Sequence, residues 1–521
     1  MKKEAVTIRR HIPLLIILLV LTACGNGTEN ALMEIPVPPL YIVEVFDAEP
    51  LSAEASELTT AEQVVPLFND YIITMDFQPE TRTITGTGSV RYTNRSNMVL
   101  EDIVFRINLN AWNGRQTMLP YTEDLYNRIF RHGRNYGFMD ILHVSQDNEE
   151  LPFTLEDTVL TIFLFRSLEP NETTQLSIRF EAYIPRIAHR TGANDYALWA
   201  GAFLPVEALM GPEGWCVQPY YPIGVPFMLG VANYMVEITT PIGYMVAGTG
   251  AKTENTLDDR IITNFTAQTA RDFAFAISDN FNRESAITPS GTEIFLYHYT
   301  EDLPIDRILN VAVETMTFFE ETVGAYPYDQ LSIVETDMFQ NGAGFTNIIF
   351  VDSGHLRSSQ TLSGLRHQIG RQWFSMIVGG NPIDEAWLNN GLVFLLQGGL
   401  LDRPEELRAL IETSHRELQE GKHLIRSVDG LQLASGIASY QNWTDYILIQ
   451  HNKARIMFYA LYREMGEDNF RELLREYYNQ FAFQIAFAQD FIELAEEIYD
   501  RRLRGFFNIW LYTEELPDLP R

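Results

Sequence analysis

The sequence predicts a multidomain α+β protein, with an all-β unit over residues 66–285 followed by a mixed strand-and-helix unit over 286–521. Three observations lead there. A chain of 521 residues is too long for one ordinary core. Its 46% hydrophobic and 12% aromatic content is that of a folded protein. The apolar period changes from two to that of a helix near residue 286.

At the amino end, "MKKEAVTIRRHIPLLIILLVLTACGN" sets a basic lead-in (Lys2, Lys3, Arg9, Arg10) before an apolar run too short for comfortable membrane spanning. The run ends in Leu21-Thr22-Ala23-Cys24, which resembles a bacterial lipobox. That resemblance implies a lipoprotein signal peptide over residues 1–23, lipid attachment at Cys24 and an extracytoplasmic protein anchored to the cell membrane. Residues 24–65 mix Pro, Glu, Ser and Thr without a sustained period and read as a tether. Lipidation of Cys24 would then leave no intrachain disulfide for the second cysteine, Cys216, to form. A net charge of −31 argues against nucleic acid as a partner, and solubility accounts for it.

The β unit announces itself in "RTITGTGSVRYTNRSN", where Ile84, Gly86, Gly88, Val90 and Tyr92 alternate with Thr83, Thr85, Thr87, Ser89 and Arg91. Turn residues Asn94 to Asn97 close the strand. "NYMVEITTPIGYMVAGTGAKTE" and "IITNFTAQTARDFAFAISDNF" continue in the same manner. Beyond them, "IDRILNVAVETMTFFEETVG" places Ile305, Leu309, Ala312, Met316 and Phe319 on one helical stripe, with Gly324 as the stop. Residues 445–515 are almost wholly amphipathic helix.

The stretch "RHQIGRQWFSMIVGGNPIDEAWLNNG" has the frame of H-E-x-x-H, in which two imidazoles on one helix face bind zinc and the Glu polarises the bound water. The five positions hold His367, Gln368, Ile369, Gly370 and Arg371. With "RDFAF", "AYPYDQLSIVETD" and "FFNIWL", this stretch resembles the aminopeptidase N-like metallopeptidases (peptidase family M1, gluzincins) from about residue 66 to 515. The resemblance implies a saddle-like N-terminal β-sandwich before a thermolysin-like domain with a degenerate zinc site.

On that likeness the metal positions are His367, Arg371 and Asn390, the last at the spacing of the family's third ligand, within Trp387-Leu388-Asn389-Asn390-Gly391. The general base becomes Gln368, which cannot accept a proton at neutral pH. Gly344 stands where a Glu would bind the substrate amine, and His451 where a Tyr would stabilise the oxyanion. The expectation is therefore a catalytically inactive pseudopeptidase that binds a peptide or protein in the interdomain cleft, with no cofactor. The alternative is an active zinc aminopeptidase with an unusual ligand set, His451 joining His367 at the metal. For Arg371 two readings stay open: pairing with an acid such as Glu385, or reaching solvent in the cleft.

Overall fold

A computed structural model describes residues 68–114, 122–211 and 214–516. The signal peptide, Cys24 and the tether expected over residues 1–65 lie outside the described residues. Among the described residues no helix is long and apolar enough to cross a membrane.

The first part is a sandwich. Its larger sheet has eight strands in the order Ala251–Leu257, Arg260–Ala270, Ala232–Pro241, Asn69–Gln78, Thr83–Thr93, Thr173–Tyr183, Phe138–Gln146 and Glu149–Glu150. The alternation predicted for 83–92 is the observed one: Ile84, Val90 and Tyr92 are buried and Thr85, Thr87 and Arg91 are exposed. Gly86 is required there, because a Cβ would lie 2.4 Å from the ring of its cross-strand partner Phe180. A four-stranded sheet (Val206–Glu207, Leu100–Arg106, Val159–Leu168, Phe153–Glu156) shares the core through Ile103, Phe105, Leu160 and Ile162.

A further four-stranded sheet carries Leu198–Ala200 and Phe275–Ser278 at its centre and joins the two parts of the molecule. Period-two geometry explains how. Leu198 and Ala200 point into the sandwich core, while Trp199 between them packs with Phe345 and Phe350 of the next sheet.

That next sheet is mixed and five-stranded, in the order Asn282–Ile287, Glu293–His298, Gln330–Thr336, Ile348–Asp352, Gly342–Phe345. The expected division at 285/286 runs through its first strand, which pairs with Glu293–His298; the change of sheet falls just before Asn282. Helix α1 (Ile305–Thr322) buries Leu309, Ala312, Met316 and Phe319, as its apolar stripe predicts, with Ile305 half-buried. Three more helices matter for the site: α2 (Ser363–Arg371), α3 (Ala386–Leu396) and α4 (Ala454–Met465).

Arg271, in the "RDFAF" strand entry, fastens sandwich to helices. Its Nε donates to Met376 O at 2.9 Å, and its two terminal nitrogens to Leu229 O and Ile377 O at 3.0 Å and to Gln484 O at 2.5 Å. A buried guanidinium whose donors all meet carbonyls positions both sides of the cleft at once.

Candidate functional site

The site is built on α2, which is held close to its neighbours by glycine. A Cβ on Gly370 would lie 2.6 Å from Phe319 of α1 and 2.9 Å from Val393 of α3. The opposite face of α2, carrying His367, Gln368 and Arg371 in the spacing of one helical turn, is turned to a cavity of about 590 Å³. Past Arg371 the helix widens into a π-type turn, Gln372–Ile377. On α3, Gly391 leaves only 2.5 Å between its absent Cβ and Phe458 of α4, so α3 seats tightly on α4 and delivers Asn390 to the same cavity. His451 comes from the π-type segment Ile447–Lys453 that leads into α4.

All six family-equivalent positions therefore meet: His367, Gln368, Arg371, Asn390, Gly344 and His451 line one cavity between sandwich and helices. Their bonding is not that of a metal centre. The His367 ring stacks on Phe394 at 4.1 Å between centroids, and His451 lies 4.0 Å from the same ring and 6.2 Å from His367. Burial, with Arg371, His451 and Arg455 nearby, holds His367 well below the usual imidazole range. Burial beside Arg455 and Arg371 pushes His451 down to about 3. Both rings are neutral at pH 7.

Asn390 donates from Nδ2 to the Tyr446 hydroxyl at 2.9 Å. Gln368 donates from Nε2 to Gly342 O at 3.1 Å, which ties α2 to the edge strand Gly342–Phe345. The absence of a side chain at Gly344 fits that arrangement, since a Cβ there would sit 3.1 Å from Gln368 Oε1. Gly344 and Gln368 are thus sterically linked.

Arg371 corrects both readings left open. It is 9% exposed, so it does not reach solvent freely. Nor does it pair with Glu385, whose Oε2 accepts from Ala488 N at 2.8 Å and whose charged neighbours are Asp384 and Asp490. Among the described residues no carboxylate lies within ion-pair distance of the Arg371 guanidinium, and its Nε is buried without a hydrogen-bond partner. Burial lowers its pKa to about 10, with the Tyr446 phenol, Arg190 and Asp272 as neighbours, so it stays charged.

Zinc requires three or four His, Cys or carboxylate donors. These positions offer one imidazole, one amide and one guanidinium, and the guanidinium repels a dication. The donor set does not fit the ion. Among the described residues no group of three His, Cys, Asp or Glu side chains is placed to hold a metal.

Residues 307–510 match the peptidase family M1 domain. Over 233 residues the chain is 28% identical to aminopeptidase O of Rattus norvegicus, and over 237 residues 25% identical to endoplasmic reticulum aminopeptidase 1 of Homo sapiens. The second part of this chain is thus a peptidase family M1 domain, at residues 307–510. The aligned parts are 38% and 42% of this chain but only 28% and 23% of those two proteins, so it spans under a third of the relatives' length. A crystal structure of an M1 zinc metallopeptidase from Deinococcus radiodurans superposes with a TM-score of 0.62 at 14% identity, covering 87% of this chain and 95% of that one. The M1 architecture, a sheet-rich first part and a helical second part, is the one expected from the sequence.

Four residues of the M1 cleft carried no signal as site residues in the sequence: Arg190, Asp272, Phe394 and Tyr446. Asp272 lay inside the quoted "RDFAF" but read only as part of a strand. Tyr446 fell at the start of the amphipathic tract 445–515, and Phe394 lay just past the quoted motif. Arg190, in an irregular stretch of the sandwich, had no motif around it.

Proposed function

We propose that this M1 chain is a pseudopeptidase, a surface-anchored lipoprotein that binds a peptide or protein in the cleft and does not hydrolyse it. One observation carries the reading: Arg371, at the position where the sequence resemblance would put the second metal ligand, is a buried guanidinium whose Nε has no hydrogen-bond partner. Gln368, committed to Gly342 O, offers no base, since an amide cannot take a proton. The retained cavity, walled by Phe227, Phe339, Phe394 and Trp443, has the size and mixed lining of a ligand site. Membrane attachment rests on the Leu21–Cys24 tetrapeptide and its basic, apolar lead-in; a Cys24→Ala variant that remains membrane-bound with unchanged processing would remove it.

The hydrolysis reading is tested with aminoacyl-nitroanilide substrates on the purified chain in excess zinc, with and without a chelator. No turnover above the blank is expected. Chelator-sensitive release of product would establish a working aminopeptidase with an unusual ligand set in its place.

A further inference from the structure

We infer that the cleft binds the carboxylate of its ligand, held between Arg371 and Arg190 where the family's metal would sit. This rests on the peptide-binding reading above and adds which chemical group of the ligand is recognised.

The inference comes from accounting for donors. Five arginines line the cavity against a single carboxylate, Asp272. Three of the five are already engaged: Arg128 pairs with Asp124 at 2.8 Å, Arg271 donates to four carbonyls, and Arg455 donates to Phe394 O at 3.0 Å and Ser414 Oγ at 2.8 Å. The other two each keep a buried N–H without a partner, although Arg190 also meets Gly224 O and the Tyr220 hydroxyl. Arg371 keeps a buried Nε without a partner. Arg190, 5% exposed, gives one terminal nitrogen to Gly224 O and stands over the Phe227 ring at 5.6 Å, but its other terminal nitrogen is buried without a partner. The Gln340 amide nitrogen, on the same wall, is a third buried donor without an acceptor.

Buried donors are almost always satisfied, so orphaned ones around a cavity mark where an acceptor belongs. Arg190 and Arg371 are neighbours, each with a buried N–H to give, and the planar fork of Arg matches a carboxylate; the orphaned acceptors on the same cavity, Gln368 Oε1, Asn389 Oδ1 and Gln397 Oε1, belong to uncharged amides. Among the described residues the Asp272 carboxylate forms an ion pair with neither arginine, and its Oδ1 accepts from Thr346 N at 2.9 Å. At Gly344 there is no acid to attract an amine. The sign of the cleft is thus opposite to that of a protein whose net charge is −31.

The test is calorimetric titration of the full chain with four probes: N-acetyl-Ala-Phe as free acid, the same dipeptide as its amide, N-acetyl-Asp-Phe-amide, and inorganic phosphate. The acetyl group removes the amine from consideration. Binding of the free acid identifies a terminal carboxylate, and binding of the Asp peptide a side-chain one; either supports the inference when the plain amide is weaker by roughly ten- to hundredfold, the worth of a charge-assisted hydrogen bond. Arg371→Gln should weaken the binding probe by a similar factor, and Arg190→Gln provides the same readout should the first variant fold poorly. Equal binding of acid and amide would overturn the inference while leaving the pseudopeptidase reading in place, and so would phosphate binding as tightly as the peptides. Stoichiometric zinc with hydrolysis would instead overturn the reading beneath it.

Discussion

A guanidinium buried without an anion costs the fold free energy, and Arg371 fixes the sign of the first prediction. Desolvating a charge is unfavourable by several kcal/mol unless a partner compensates, and replacing buried ionic groups by apolar ones of similar volume is often stabilising by ~1–4 kcal/mol. Arg371→Met should therefore raise the melting temperature. A lower melting temperature would mean that the charge stabilises the fold and does not await a ligand. Asp272 tests the same wall from the other side. Burial lifts its carboxyl to about 6 despite the Thr346 hydrogen bond and the charges of Arg271 and Arg371. A folded pKa above the unfolded one penalises the ionised form: the penalty is absent below about pH 4, grows through the interval up to 6 and is complete above it. Asp272→Asn, which keeps an acceptor for Thr346, should leave the melting temperature unchanged at pH 4 and raise it at pH 8. An equal fall at both values would contradict this.

At the scale of elements, Arg271 bonds more backbone carbonyls across the cleft's walls than a single neutral side chain could. Arg271→Met would strand the carbonyls of Leu229, Met376, Ile377 and Gln484, and unsatisfied buried acceptors cost ~1–3 kcal/mol each. We expect a loss of at least about 3 kcal/mol in denaturant unfolding; a loss under about 1 kcal/mol would show that water replaces the guanidinium. The elements themselves were legible because local periodicity is written in contiguous residues. The stripe from Leu309 to Phe319 and the alternation from Ile84 to Tyr92 each lie within one element. The site was legible where it also followed local spacing: His367, Gln368 and Arg371 share a helix turn, and Asn390 follows at a fixed interval. The rest depended on contacts between distant segments. Arg190 reaches the cavity from the sandwich, and nothing near it in the chain signals that destination. The strand Asn282–Ile287 likewise belongs to the second part only through its pairing with Glu293–His298, which the composition of either stretch does not show. Glu385 looked a plausible partner for Arg371 in sequence, but its carboxylate is taken by the backbone of Ala488.

Over the whole molecule, net charge and local charge have opposite signs. The chain totals −31, yet five arginines and a single carboxylate line its central cavity, and two of those arginines keep a buried N–H without a partner. A summed charge describes solubility and long-range steering, whereas recognition is set by the few desolvated groups that a ligand touches. At the centre of this two-part architecture Gly344 lies against Gln368 and Asn390 is bonded to Tyr446. The most direct test is the zinc content of the full chain, purified from zinc-replete cells and measured by elemental mass spectrometry against protein concentration. The account predicts well under one zinc per chain. One zinc per chain, retained through dialysis and removed only by a chelator, would contradict it.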